Sequence, residues 1–406
     1  MRGISGSLTL FLPCAAGVED LLADEVHGLT GLQGEDLQVG RGGVLLQARW
    51  EDALRLNLHS RLAQRVLVQL SYTPYRQEAD LYEAARALPW EDWFTTRQRF
   101  KVEITAQHSP LKSLNFAALK IKDAVVDRFR DRSGVRPDVD TQRPDVRLYA
   151  HLDAGHCTLY IDTSGEPLFK RGWREDKGEA PLKETLAAAM LAASGWDAQV
   201  PLYDPCCGSG TIAIEAAQIA CGIAPGLQRR FGFERLLPFE AAAWRGLREA
   251  ALAARHASTV TVHGSDVAFR MVDFANRNAH RAGVAEAVQF RGGDALQRLP
   301  PTDTPGLMLV NPPYGERIEA AGVAGRGRER AQSEDGDFFV QLAAHWKKHY
   351  AGWTAWVLTP DLKLPTRMRL KESRRVPMWN GPIECRLFRF DMVAGSARVR
   401  EKPPAP

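Results

Sequence analysis

The chain has 406 residues, 45 % of them hydrophobic and 25 % charged, with a formal net charge of +4. That length suits two or three domains, the composition is that of an ordinary globular protein with enough apolar residues for a large core, and the mild basic excess permits a nucleic-acid partner without demanding one. No run of about 20 apolar residues is present, so no membrane-spanning helix is expected; the six cysteines lack zinc-type spacing, with Cys206 and Cys207 adjacent, so no metal site is expected and free thiols point to a reducing cytoplasm.

The opening apolar stretch, Leu8 onward, is short, broken by Pro13 and followed by Glu19 and Asp20, which reads as a strand over 7–13 and a helix over 17–26 rather than a signal peptide. A second strand follows the glycine turn at Gly42-Gly43, and apolar residues at helical spacing over 51–69 run on into a strand. Together these predict a small α+β unit. A second unit comprises a helix over 81–88, a strand over 99–106, an amphipathic helix with a basic outer face over 115–130, and paired strands over 146–151 and 157–162. From 180 the texture changes. Helices over 182–191, 211–220, 268–282 and 337–350 alternate with strands over 200–204, 260–266, 288–291, 306–311 and 355–359, which predicts a mostly parallel, doubly wound α/β sheet. Two stretches interrupt it: an aromatic and basic insert over 224–244, and residues 320–335, poor in apolar side chains and read as a mobile loop.

Four motifs fall at the ends of these strands. The first, Asp204-Pro205-Cys206-Cys207-Gly208-Ser209-Gly210-Thr211, lies between a strand and a helix. Glycines there let the backbone turn sharply, and the helix that follows offers free N–H groups and a positive dipole end. Such a loop suits a dinucleotide pyrophosphate or the methionine portion of S-adenosylmethionine. It is not the dinucleotide fingerprint, because Ala213 stands where a third glycine belongs. The second, Gly264-Ser265-Asp266-Val267, places an acid where it can accept from ribose hydroxyls. The third, Gly293-Asp294-Ala295, offers a carboxylate and backbone for an adenine amine. The fourth, Asn311-Pro312-Pro313-Tyr314, follows a short buried strand. The Asn311 amide oxygen and the Pro312 carbonyl can accept the two N–H protons of an exocyclic amine, and Tyr314 offers a stacking face worth about 1–3 kcal/mol per base. Two prolines in succession stiffen this turn. Taken alone, each is also compatible with an ordinary turn; in this order they reinforce one another.

Basic residues cluster in three places: Lys120, Lys122, Arg128, Arg130, Arg132 and Arg136 on and after the amphipathic helix, diluted by aspartates; Arg171, Arg174 and Lys183; and a C-terminal group that includes Arg374. Each is either a solvated face or a phosphate contact.

Several of these segments resemble the THUMP-domain class I RNA methyltransferases, in particular the bacterial branch that modifies guanine N(2) in 23S rRNA. The resemblance is carried by Leu54-Arg-Leu-Asn-Leu with Ala63-Gln-Arg-Val-Leu, by Lys122-Asp-Ala-Val-Val-Asp127-Arg-Phe-Arg130 and Gly134-Val-Arg-Pro137, by Arg171-Gly-Trp-Arg174 and Ala180-Pro-Leu-Lys-Glu184, by 204–215, by Asn311-Pro-Pro-Tyr-Gly-Glu-Arg-Ile318, and by Asn380-Gly-Pro-Ile-Glu-Cys385. It spans nearly the whole chain. It implies a ferredoxin-like domain over 1–55, a THUMP RNA-binding domain over 56–165, a Rossmann-like class I methyltransferase domain over 166–395 and a disordered tail over 396–406. It implies S-adenosylmethionine held by Asp204, Cys206, Gly208, Ser209, Gly210, Thr211, Asp266, Val267, Asp294, Ala295 and Asn311, with the base held by Asn311, Pro312, Pro313 and Tyr314. The expected partner is large-subunit rRNA or an assembling ribosomal particle, with no membrane and no metal. One departure is Cys206, where the family usually has a larger apolar residue, often Met. Some relatives carry a second methyltransferase domain after this one; the chain ends at Pro406, so that second activity is expected to be absent.

Other readings stay open on the residues alone. A tRNA guanine-N(2) methyltransferase shares the same motifs. An adenine-N6 DNA methyltransferase would lack the N-terminal half. A non-catalytic RNA-binding assembly factor would not need an intact glycine loop together with Asn311 to Tyr314. A nicotinamide-dependent oxidoreductase would place its ribose-binding acid about 20 residues after the loop, and Asp266 lies far beyond that.

Overall fold

The computed structural model describes residues 6–178, 181–312 and 335–393. Pro313, Tyr314, nearly all of the 320–335 stretch and the 396–406 tail lie outside them. By packing density the chain divides into two units, Met1–Gly172 with Ala224–Ala254, and Trp173–Ile223 with Arg255–Pro406.

The first unit opens with β1 (Leu8–Pro13), α1 (Glu19–Thr30), β2 (Leu37–Gly40), β3 (Gly43–Ala48) and α2 (Trp50–His59). It continues with β4 (Leu67–Pro74), α3 (Glu78–Ala87), β5 (Phe100–Ala106), α4 (Leu114–Ser133), β6 (Val146–Leu152) and β7 (His156–Asp162). The strands form one sheet in the order β2-β3-β1-β4-β7-β6-β5, antiparallel throughout except for the parallel β5–β6 pair. The β4–β7 ladder joins the opening α+β piece and the following one into a single sheet. Helix α4 is defined at both ends: the Ser113 hydroxyl accepts from Phe116 N at 3.2 Å, and Gly134 closes it in a left-handed conformation at φ 71°.

The second unit begins with α5 (Glu184–Ser194), β8 (Leu202–Asp204) and α6 (Thr211–Ala220). The chain then returns to the first unit through α7 (Ala241–Ala253). The insert at 224–244 is therefore part of the first unit rather than a loop of the α/β sheet, and it carries a helix that its sequence does not announce. Arg229 holds it there. The guanidinium donates to the carbonyls of Pro167 at 2.7 Å, Lys170 at 3.1 Å and Ser164 at 3.1 Å, and burial pulls its pKa down to about 10.

The second unit is completed by β9 (Val262–Asp266), α8 (Phe269–Ala282), β10 (Val288–Gly292), β11 (Leu307–Val310), α9 (Asp335–His349), β12 (Thr354–Thr359), α10 (Leu364–Met368), β13 (Arg374–Asn380) and β14 (Ile383–Asp391). Its sheet runs β10-β9-β8-β11-β12-β14-β13, parallel from β10 to β12 and antiparallel in the final hairpin. This is the expected doubly wound α/β sheet, mostly parallel, with α5, α6 and α8 interleaved among its strands. Helix α6 is buried nearly all round because it packs on both the sheet and α5, which is why most of its residues are apolar. On one face of the sheet Met308, Val310 and Val357 pack with Trp346, Tyr350, Trp353, Phe388 and Phe390. Met308 is fully buried in this cluster. Met308→Ala is expected to cost about 2–5 kcal/mol of stability, measured as a lower midpoint of the second unit's transition in urea; an unchanged midpoint would show that this core does not hold the sheet.

Candidate active site

The C-terminal ends of parallel strands lie along one edge of a sheet, and in open α/β folds ligands bind at that edge. Here β10, β9, β8 and β11 are consecutive parallel neighbours. Asp294 follows β10, Asp266 ends β9, Asp204 ends β8, and Asn311 follows β11. Four motifs spread over more than one hundred residues of sequence therefore share one edge.

The glycine loop is laced to the end of β9. Cys207 N donates to Ser265 O at 2.9 Å, and Gly208 N donates to Asp266 Oδ2 at 2.9 Å. The Tyr203 and Ser265 hydroxyls lie 2.7 Å apart beneath. Gly210, at φ 89°, has no room for a side chain: a Cβ there would come within 2.9 Å of the Phe290 ring and 3.0 Å of Ala275. Thr211 then opens α6, so the first-turn N–H groups of that helix face the strand ends.

The carboxylates have distinct environments. Asp204 is 1 % exposed and accepts only from Cys206 N, at 3.1 Å, among the described contacts; burial first, then the nearby Asp266, push its carboxyl up to about 8. Asp266 accepts from Gly208 N and from Ala268 N at 2.9 Å, one bond to each oxygen, and burial raises its pKa too. Each carboxylate oxygen has a second lone pair, so Asp266 retains capacity for two hydroxyl donors. Asp294 Oδ1 accepts from Leu296 N at 2.9 Å, fixing the turn after β10. Val267 is 38 % exposed beside these groups, whereas Ala295 packs into the core. Burial drives both the Cys206 and Cys207 thiols well above their ordinary range, which makes them packing groups rather than nucleophiles. Cys206 packs against the core cluster that contains Met308 and Val310.

Asn311 stands where β11 leaves the sheet centre, with Pro312 buried beside it. Its amide oxygen is buried and has no hydrogen-bond partner among the described residues. An unsatisfied buried acceptor costs about 1–3 kcal/mol, and this one lies on the same sheet edge as the three carboxylate-bearing strand ends, next to that of β8. Pro313 and Tyr314 lie outside the described residues.

The expected RNA contacts divide. Lys120, Lys122 and Arg136 line a groove of about 1120 Å³ in the first unit, together with Arg99 and Arg130. Asp123, Asp127, Asp138 and Asp140 line it as well, and Lys122 pairs with Asp123 at 2.5 Å, so the excess of positive charge is small. Arg128 is directed elsewhere, donating through Nε at 3.1 Å and Nη2 at 2.6 Å to Glu91. Arg171 is 2 % exposed and donates to the carbonyls of Leu168 and Arg61, a main-chain brace rather than a phosphate ligand. Arg174 lies behind the glycine loop, bonded to Glu184, Ser209 and Thr211. Lys183 is the exposed residue preceding α5, and Arg374 is exposed on β13. Sequence reasoning missed Arg99 in the groove. It also missed Glu184 and Asn278, whose amide donates to Ser209 O at 3.1 Å. A buried glutamate in a helix as apolar as α5 was the available signal for the first of these.

Residues 171–389 match the family model described as RMKL-like, methyltransferase domain. The chain belongs to this family. Ahead of the RMKL-like domain, residues 75–162 match the THUMP domain and residues 9–67 the RlmL ferredoxin-like domain. The chain is 36 % identical over 405 residues to the ribosomal RNA large subunit methyltransferase K/L of Psychromonas ingrahamii, covering 98 % of this chain and 52 % of that protein. It is 39 % identical over 398 residues to the protein of the same name in Shewanella loihica, covering 96 % and 54 %. The chain thus spans about half the length of the curated relatives it matches. Among solved structures, SMU.472, crystallised with SAH, superposes with a TM-score of 0.84 at 28 % identity over 97 % of this chain and 100 % of that one. A Listeria monocytogenes protein described as a predicted N6-adenine-specific DNA methylase superposes with a TM-score of 0.82 at 29 % identity, covering 95 % and 96 %. No helix among the described residues is long and apolar enough to cross a membrane.

The Asp204 environment of the RMKL-like domain has a measurable consequence. A carboxyl raised to about 8 when folded holds a proton that the unfolded chain releases near pH 4. The stability this contributes is complete below the unfolded value and is lost as pH rises towards 8. Asp204→Asn cannot ionise, so its thermal midpoint is expected to fall less than that of the parent between pH 5 and pH 8. Parallel profiles in scanning calorimetry would contradict the raised value.

Proposed function

We propose that this chain transfers a methyl group from S-adenosylmethionine to the exocyclic N2 amine of a guanine in 23S rRNA. The observation that carries the reading is the buried Asn311 amide oxygen, without a partner among the described residues, at the end of β11 on the sheet edge that also carries Asp204, Asp266 and Asp294. The names of the K/L relatives and the SAH held by SMU.472 support the substrate class and the cosubstrate.

The donor set fits the cosubstrate. Asp266 has lone pairs for both ribose hydroxyls, the turn at Asp294 and Ala295 offers a carboxylate and main chain for the adenine amine, and the α6 N-terminus with Gly208, Ser209 and Gly210 suits the amino-acid end. S-adenosylmethionine supplies an electrophilic methyl on a positively charged sulfur. The guanine amine is a weak nucleophile because its lone pair is delocalised into the ring. Asn311 Oδ1 and the Pro312 carbonyl accept its two N–H groups, which aims the lone pair and favours a tetrahedral nitrogen. The N–C bond forms as the S–C bond breaks, the thioether leaves as S-adenosylhomocysteine, and the extra proton on nitrogen passes to water. Placement does most of the work, with effective molarities worth about 7–11 kcal/mol. Tyr314 stacks on the base in this reading, and Pro313 stiffens the turn. The amine of a stacked guanine is out of in-line reach, so the target is flipped out or unpaired when methylated. The groove lined by Lys120, Lys122 and Arg136 takes part of the RNA backbone, with 1–55 and 56–165 as ferredoxin-like and THUMP pieces and 166–395 as the methyltransferase domain.

The test is transfer of labelled methyl to undermodified 23S rRNA, 16S rRNA, bulk tRNA and DNA, with products read by mass spectrometry. N(2)-methylguanosine in 23S rRNA alone, reduced at least about a hundredfold in Asn311→Ala, is the expected result. The same product in tRNA would move the substrate, and N6-methyladenine would overturn the target atom.

Removing the groove's charges separates docking from chemistry. The double variant Lys120→Ala, Lys122→Ala is expected to raise KM for RNA with kcat at saturation preserved, and to reduce the slope of log affinity against log salt by about 1 for each phosphate that is no longer neutralised. An unchanged salt slope would place the RNA elsewhere.

A further inference from the structure

Arg174 precedes α5, yet its guanidinium bonds to residues of two separate segments, 182–184 and 209–211. Nε donates to Glu184 Oε1 at 2.7 Å, Nη2 to Leu182 O at 3.2 Å and to Thr211 Oγ1 at 2.8 Å, and Nη1 to Ser209 Oγ at 3.3 Å. Its side chain is 11 % exposed and that of Glu184 is 4 % exposed. The guanidinium also lies 5.2 Å from the centroid of the Trp173 ring. The rest of this short strap is pinned as firmly. Arg281 Nε donates to Trp173 O at 3.0 Å, Asp176 pairs with Arg277 at 3.0 Å and with Arg281 at 2.5 Å, and Asn278 joins Asp176 O to Ser209 O. A charge fixed at this depth is costly unless well bonded, and here four hydrogen bonds engage all three guanidinium nitrogens.

What the arrangement does follows from hydroxyl chemistry. A serine or threonine hydroxyl has one proton to donate and lone pairs to accept. Arg174 has no acceptor, so toward it both Ser209 and Thr211 must accept. Each is then left with its O–H to donate. The two hydroxyls flank Gly210 at the start of α6, where main-chain N–H groups have no helical partner. The result is a set of donors at the positive end of a helix.

We infer that Arg174 is a positioning residue for cosubstrate binding: through Ser209 and Thr211 it fixes the donors that receive the carboxylate of the cosubstrate's amino-acid end. This rests on the reading that the pocket takes S-adenosylmethionine. It assigns Arg174 to the cosubstrate loop rather than to RNA, and it explains why Glu184 is buried in an apolar helix, since that carboxylate holds the guanidinium in place.

The experiment is titration calorimetry of the full chain with two ligands, S-adenosylhomocysteine and 5′-methylthioadenosine, which keeps the adenosine and sulfur but has no carboxylate. Arg174→Gln is expected to weaken S-adenosylhomocysteine about tenfold or more while 5′-methylthioadenosine changes less than about twofold. Arg174→Lys, with a charge but no planar fork, is expected to recover part of the loss. Thr211→Val leaves the Arg174–Glu184 pair intact and is expected to shift S-adenosylhomocysteine in the same direction by several-fold, so it decides the matter if Arg174→Gln does not fold. Equal losses for both ligands, or no loss for either, would overturn the inference and leave the cosubstrate reading standing. Failure of the unaltered chain to bind S-adenosylhomocysteine would overturn both.

Discussion

The site depends on one interaction, the carboxylate of Asp266 accepting the backbone N–H of Gly208 at 2.9 Å. A glycine-rich loop has little conformational preference of its own, so something outside it must select one path. Asp266 does so from the neighbouring strand, and its other oxygen takes Ala268 N and fixes the start of α8. One side chain thereby ties down both the loop and the start of a helix. The same carboxylate retains lone pairs toward the open edge. A group that organises the loop is already placed to hold a ligand, which is the meaning of preorganisation in this fold.

The second unit is unusually rich in buried or half-buried charge near that edge. Asp204, Glu184 and Glu215 are all within a few per cent of full burial. Burial raises Asp204 and Glu184, and Glu215 adds to the effect on Glu184. Arg174 opposes it. Buried pairs of this kind contribute little net stability compared with apolar packing; they make geometry specific. That is a poor device for holding a core together and a good one for holding hydroxyls and N–H groups in fixed directions.

The first unit solves a different problem. It presents a groove in which basic and acidic side chains nearly balance. Such a surface has weak long-range attraction for a polyanion. The insert that carries α7 is drawn into this unit by Arg229, whose guanidinium satisfies carbonyls of the segment between 164 and 170. A segment placed in the sequence of one unit thus stabilises the other, which no reading of consecutive elements would show.

The elements best read from sequence were those with strong local signals. Helix α6 was delimited correctly because a glycine loop precedes a continuous apolar run, and the alternating strands of the second unit were legible from their short apolar stretches. The exposed strand β2 and the helix α7 were missed, the first because it is short and has no buried face, the second because its environment is supplied by distant residues. Among the site residues, the order of the glycine loop, Asp266, Asp294 and Asn311 was determined by sequence, because each motif encodes its own turn and its own donors or acceptors. Which arginines remain available was decided by the tertiary structure alone. Arg128, Arg171 and Arg174 look alike along the chain. Their partners lie 37, 110 and 37 residues away, at Glu91, Arg61 and Thr211, and a cation's role is set by the acceptors that folding brings to it.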